Sequence, residues 1–274
     1  MKIQDVKKAV RDGYAEVAKN SSCCCGVVSS SCGDNYAKDS SKELGYTEEQ
    51  LSQMPDEANM GLGCGIPIAH ADIKPGETVI DLGAGGGIDC FIAAKAVGEA
   101  GRVIGVDMTP EMIDKARANA ENGHYGNVEF RLGEIEHLPV ADNSADLITS
   151  NCVINLAPDK GQVYREAYRV LQPGGRFVVS DIVTTEPLPE WILESVKAYT
   201  GCISGAIMRD DYLEIIKAAG FTDVVVLEEK FFPIECMQND PTAQKFIRKT
   251  GMTMDGLNDA LKGIVSITVR GWKK

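Results

Sequence analysis

The sequence predicts an α/β fold, a doubly wound and mainly parallel sheet, on three observations. From residue 77 onward, short apolar runs alternate with segments of helical period. The runs are continuous rather than alternating, as in strands whose two faces are both covered by helices. Glycine turns separate runs from helices, DLGAGGG being the first. In order, the elements are ETVIDLG then IDCFIAAKAV, GRVIGVD then PEMIDKARANA, VEFRLGE, ADLITSN, and GRFVVSD after the turn QPGG. Thr109 and Pro110 supply an N-cap and a first-turn proline for the second helix. Helices over PEWILESVKAY and DDYLEIIKAAG and two late strands, VVVLEEKFF and GIVSITVRGW, bring the strands to seven.

A chain of 274 residues with 44% hydrophobic content buries a substantial core, as one large domain or a domain with a small appendage. A formal net charge of -12 argues against nucleic acid or an anionic membrane as partner, because phosphate binding draws on clustered Lys and Arg. The first twenty residues intersperse charges among apolar positions and lack a signal-peptide core, and no apolar run reaches membrane-spanning length. The expected location is cytoplasmic, where the nine cysteines are kept reduced.

Residues 1–60 read as a helical and flexible, Cys-bearing N-terminal extension. Ile3, Val6, Val10, Tyr14 and Val17 recur at helical spacing; the segment SSCCCGVVSSSCGDNYAKDSSK that follows is poor in groups able to bury surface. Thr47 and Gln50 form a capping-box pattern before a short helix that Pro55 ends. Residues 61–274 form the α/β domain, with a substrate-covering segment at about 184–215.

The glycine loop discriminates among cofactors. A dinucleotide fingerprint needs glycine where Ile88 stands in the register from Gly83 and Gly85, so the NAD pattern fails. Asp81, Gly83, Ala84, Gly85 and Gly87 resemble instead the first motif of S-adenosylmethionine methyltransferases, and seven strands with a late pair resemble that family's Rossmann-like sheet. Asp107 ends the second strand, where its carboxylate suits a ribose diol. Glu134 and Ile135 resemble that family's adenine-contacting position, and Met108 and Asn151 complete the expected cofactor set.

Three cysteines stand apart in sequence at the ends of apolar segments: Cys64 in GLGCGIP, Cys152 in SNCVINL and Cys202 in TGCISGA. Thiolates select soft, thiophilic elements. Taken singly, each reads as a small core residue, as Cys90 does within its apolar helix. Beside a methyl-donor loop they read together as a metalloid trap, whereas His70, His124 and His137 share no metal-ligand spacing.

GLGCG, DLGAGGGIDCFIAA, VIGVDMTPEMI, SNCVINLAPDK, EAYRVLQPGG and GCISGA together resemble the arsenite S-adenosylmethionine methyltransferases. That resemblance implies arsenic bound by Cys64, Cys152 and Cys202, with a fourth, upstream cysteine that Cys32 or the run Cys23, Cys24, Cys25 supplies. It implies methyl transfer to arsenic and a thiol reductant, thioredoxin or glutathione, for turnover. Ile66 stands where family members commonly carry Asn, and Gly201 where animal and algal members carry Glu. Two alternatives stay open: a methyltransferase for a small organic acceptor such as a quinone precursor, and a non-enzymatic thiol-based metalloid-binding protein.

Overall fold

The structure, a computed structural model, describes residues 3–20, 36–52, 54–188, 203, 205–231 and 262–274. The N-terminal region supplies α1 (Ile3–Asn20), α2 (Tyr36–Leu44) and α3 (Glu48–Ser52). The capping box forms reciprocally: Gln50 N donates to Thr47 Oγ1 at 3.1 Å and Thr47 N donates to Gln50 Oε1 at 2.9 Å.

Seven strands follow: β1 (Thr78–Leu82), β2 (Arg102–Asp107), β3 (Val128–Leu132), β4 (Ala145–Asn151), β5 (Leu171–Thr184), β6 (Thr222–Phe231) and β7 (Ile264–Trp272). They stand in the order β3-β2-β1-β4-β5-β7-β6. The first five are parallel; β7 inserts antiparallel between β5 and β6. Helices α4 (Ile88–Val97) and α5 (Pro110–Asn122) share one core with the sheet, and α6 (Lys160–Val170) and α7 (Arg209–Ala218) share the other.

Strand periodicity divides the apolar side chains between these two cores. Ile80, Ile148, Phe177 and Val179 enter one, while Val79, Leu147 and Val178 enter the other. Strand β5 is longer than the apolar run GRFVVSD because the turn residues lie inside it. Its register with β4 jumps from Ala145↔Leu171 to Leu147↔Arg176, and Gly174 absorbs the excursion at φ +83°. Thr109 stands at the N-cap of α5, but its side chain makes no cap bond; Pro110 carries the helix start.

The N-terminal helix is tied to the sheet's ligand end. Val6 and Val10 are buried, and Lys19 pairs with Glu111 of α5 at 2.8 Å. Residues 21–35 of the cysteine-rich segment, the expected helix over PEWILESVKAY, and Cys23, Cys24, Cys25, Cys32, Cys202 and Cys236 lie outside the described residues. The end of that segment, expected as loop, instead forms the start of α2, where Ser41 is buried and donates to Asn59 Oδ1 at 2.8 Å.

Candidate active site

Strand order reverses between β1 and β4, which places a ligand crevice at their carboxyl ends. A cleft of about 1100 Å³, counting its open mouth, occupies that position. Asp81, Gly83, Ala84, Gly85, Asp107, Met108, Ile135, Asn151 and Cys152 line it. Three other expected residues stand just off the wall. Gly87 caps α4 at φ +98°. Glu134 is engaged by Lys7, and Glu136 lines the cleft in its place. Cys64 lies in an apolar cluster that also holds Cys152.

The loop after β1 turns through left-handed backbone at Gly83 and Gly85, with φ +70° and +51°. Gly83 N and Ala84 N donate to Val106 O, and Gly85 N donates to Asp107 Oδ2 at 3.0 Å. Thr109 N donates to the other oxygen, Oδ1, at 2.8 Å. Asp107 is thus fixed by two backbone donors, and each oxygen keeps acceptor capacity for a diol. Burial raises its pKa; the backbone donors pull the other way.

Two carboxyls, Asp81 and Asp89, are buried side by side in the cleft wall. Asp81 accepts from Thr149 Oγ1 at 2.8 Å and from Cys90 Sγ at 3.5 Å. Asp89 accepts from Tyr46 Oη at 2.7 Å and from Asn151 Nδ2 at 3.3 Å. Burial pushes both above the usual carboxylate range, and the charge of Asp89 raises Asp81 further. These partners are neutral hydroxyl, thiol and amide groups. Sequence reasoning did not single out Asp89 or Tyr46.

The segment carrying Cys64 lies across the sheet ends. Cys64 N donates to Asn151 Oδ1 at 3.1 Å, Ser266 Oγ donates to Cys64 O at 2.7 Å, and Asn151 Nδ2 donates to Gly65 O at 2.8 Å. Only glycine fits at 65, because a Cβ there would stand 2.7 Å from Ser180 Oγ. Cys152, immediately after β4, holds φ at +61° and donates its N–H to Ser180 O at 2.8 Å. Cys64 and Cys152 are both buried, clustered with Val6, Val10, Leu156, Ile203 and Ala206. Ile203 and Ala206, described residues of the TGCISGA segment, belong to the same cluster.

A glycine loop after β1, an acid ending β2, a cleft at the switch point and an antiparallel β7 define a Rossmann-like protein of the methyltransferase class. A family model described as a methyltransferase domain matches residues 73–220. The chain is 47% identical over 230 residues to an arsenite methyltransferase of Halobacterium salinarum, an alignment covering 81% of the chain and 59% of that protein. It is 38% identical over 231 residues to one of Aquipseudomonas alcaligenes, covering 81% and 64%. Among solved structures it resembles an arsenic (III) S-adenosylmethionine methyltransferase of Chlamydomonas reinhardtii, with TM-score 0.64, 36% identity, and coverage of 85% of this chain and 73% of that one. The chain belongs to the methyltransferase family and, within it, to the arsenite methyltransferases. It spans about three fifths of the length of the curated relatives it matches.

Proposed function

We propose that the protein methylates trivalent arsenic, as arsenite or its thiol conjugate, with S-adenosylmethionine as methyl donor. The observation that carries this reading is the gathering of Cys64 and Cys152 in one buried cluster beside the cleft, a cluster that also holds Ile203 and Ala206 of the TGCISGA motif. Thiolates from Cys64, Cys152 and Cys202 hold the arsenic as a pyramidal trithiolate.

The cleft residues fit the donor. Nothing stands within 4 Å of where a Cβ on Gly85 would lie, so the loop leaves room above bare backbone. Asp107 would receive the ribose hydroxyls, Ile135 and Met108 would pack on the base, and Asp81 and Asp89 would receive the ammonium, all five lining the cleft. When bound, S-adenosylmethionine supplies a methyl on a positively charged sulfur, whose C–S electrons stay on sulfur as the As–C bond forms. By holding arsenic in line with that methyl, the thiolates make the displacement effectively intramolecular, a contribution on the order of 7–11 kcal/mol in well-oriented systems. The attacking lone pair bears no proton, so no general base is required.

Arsenic is oxidised by two electrons in gaining the methyl. Two cysteine thiolates of its shell return these electrons by joining as a disulfide, and arsenic takes a hydroxide or thiol ligand from solution in their place. Thioredoxin or glutathione then reduces the disulfide, with Cys32 or Cys64 as the resolving thiol. The test is arsenic speciation after incubation with arsenite, S-adenosylmethionine and reductant. Methylated arsenic is expected from the wild type and none from Cys64→Ser, Cys152→Ser or Cys202→Ser, each still binding the cofactor in calorimetry. A wild type that binds cofactor without methylating arsenic overturns the reading and directs attention to small organic acceptors.

A further inference from the structure

One side chain joins the carboxyl pair to the thiol-bearing segment. Asn151 accepts from Cys64 N through Oδ1, at 3.1 Å. Its Nδ2 faces three acceptors: Gly65 O at 2.8 Å, Tyr46 Oη at 3.2 Å and Asp89 Oδ2 at 3.3 Å. An amide nitrogen carries two protons, so three acceptors compete for them. Gly65 O, the nearest, holds one; Tyr46 and Asp89 share the other. Tyr46 in turn donates its own proton to Asp89 at 2.7 Å, which closes a three-membered ring of side chains drawn from the N-terminal extension, α4 and the end of β4.

We infer that Asn151 is a positioning residue that couples occupancy of the Asp81/Asp89 subsite to the placement of Cys64. The inference rests on the proposed cofactor reading, in which a ligand ammonium enters that subsite. A cation beside Asp89 competes for its lone pairs and moves the shared amide proton toward Tyr46. The Asn151 amide plane then settles, and with it both hydrogen bonds that fix the Cys64–Gly65 backbone. Gly63 and Gly65 allow this close seating: a Cβ on Gly63 would stand 2.8 Å from Asn151 Nδ2, and one on Gly65 2.7 Å from Ser180 Oγ. Gly63 and Asn151 line the cleft and Cys64 follows directly, so the Asn151 amide gives a hydrogen-bonded route from a cleft ligand to the Cys64 backbone.

The experiment measures the iodoacetamide alkylation rate of Cys64 by peptide mass spectrometry, with and without saturating S-adenosylhomocysteine, saturation being set by calorimetry for each protein. Coupling between sites commonly spans 5- to 150-fold. The wild type is expected to show at least ~5-fold slower Cys64 alkylation with ligand, at the lower end of that range. Asn151→Asp, which removes the amide donors, and Tyr46→Phe, which removes one acceptor and the ring's return bond, are expected to bring the ratio within about twofold of one. Simple shielding or a merely structural role for Asn151 would leave the ratio unchanged in Tyr46→Phe. A wild-type ratio of one, or a wild-type ratio retained in both variants, overturns the inference. If Asn151→Asp does not fold, Tyr46→Phe decides it. A wild type that shows the coupling but makes no methylated arsenic sinks the arsenic reading and leaves this inference standing; failure to bind S-adenosylhomocysteine sinks both.

Discussion

Lys7 Nζ lies 2.7 Å from Glu134 Oε2 and 2.9 Å from Glu136 Oε1, so one side chain of the N-terminal helix pairs with two acids of the loop after β3. Glu136 is nearly buried, and removing its partner leaves a carboxylate short of both charge and donor. Lys7→Met is expected to destabilise the protein by about 1–2 kcal/mol and to weaken cofactor binding severalfold, since Val10 and Tyr14 of the same helix line the cleft. Thermal melts and calorimetry check both; unchanged cofactor affinity would detach α1 from the site.

The Asp81/Asp89 pair makes cofactor binding depend on pH with a definite sign. Both carboxyls are raised by burial, so the empty cleft retains a proton at pH values where an exposed carboxyl has none. A ligand ammonium displaces that proton. Affinity for S-adenosylmethionine is therefore expected to rise with pH, by up to about tenfold per pH unit, until the pair is fully ionised. Calorimetry in buffers of different ionisation enthalpy should detect the released proton, and Asp89→Asn should flatten the profile. A flat wild-type profile would count against the assignment.

Gly65→Ala tests the close seating of the Cys64 segment. The added methyl would meet Ser180, so the segment must lift and carry Cys64 with it. Turnover is expected to fall at least ~10-fold, consistent with the sensitivity of in-line reactions to small misplacements, while cofactor affinity stays within a few-fold. Ser180→Gly in the same chain removes the obstructing atoms and should recover part of the loss. Wild-type turnover in the single variant would show that Cys64 tolerates displacement.

Asp181, buried beneath Tyr212 and Asn155, sets a stability profile distinct from any binding effect. Its carboxyl accepts from Tyr212 Oη at 3.1 Å and from Asn155 N at 3.0 Å. Burial pushes its pKa up to about 7. The unfolded chain titrates this group near pH 3.9, so the native state binds the extra proton between those values. Stability from this group is therefore full at low pH and declines as pH rises through 7. Urea melts at pH 5 and pH 8 should show the wild type losing more stability than Asp181→Asn; parallel losses would refute this.

Much of the fold and part of the site were legible in the sequence, for local reasons. Continuous apolar runs and the glycine turns announced the sheet, and the late strand pair announced β7. Asp107 and the DLGAGGG loop declared themselves because a strand end and its turn are encoded within a few residues. Asp89 did not: it sits at the start of an apolar helix, where an acid also serves the helix dipole, and only the fold sets it in the cleft wall where its charge raises Asp81. Tyr46 and Lys7 were hidden for a related reason. They belong to the extension that reads as a separate segment, yet their partners Asp89 and Glu134 lie 43 and 127 residues away. Asn151 was recognisable as a cleft residue, but its hold on Cys64 spans 87 residues and exists only once the chain has closed.

Cys152 keeps a side chain in left-handed backbone, a conformation that glycine and asparagine adopt with less cost. The strain is on the order of 1–3 kcal/mol, and on the proposed arsenic-binding role a sulfur atom at that spot is what the rest of the molecule tolerates it for. A lineage freed from the need for the thiol would gain by relaxing the position, and glycine or asparagine would be the first residues to settle there. The identity of residue 152 in a descendant chain therefore doubles as a record of whether its chemistry is still under selection.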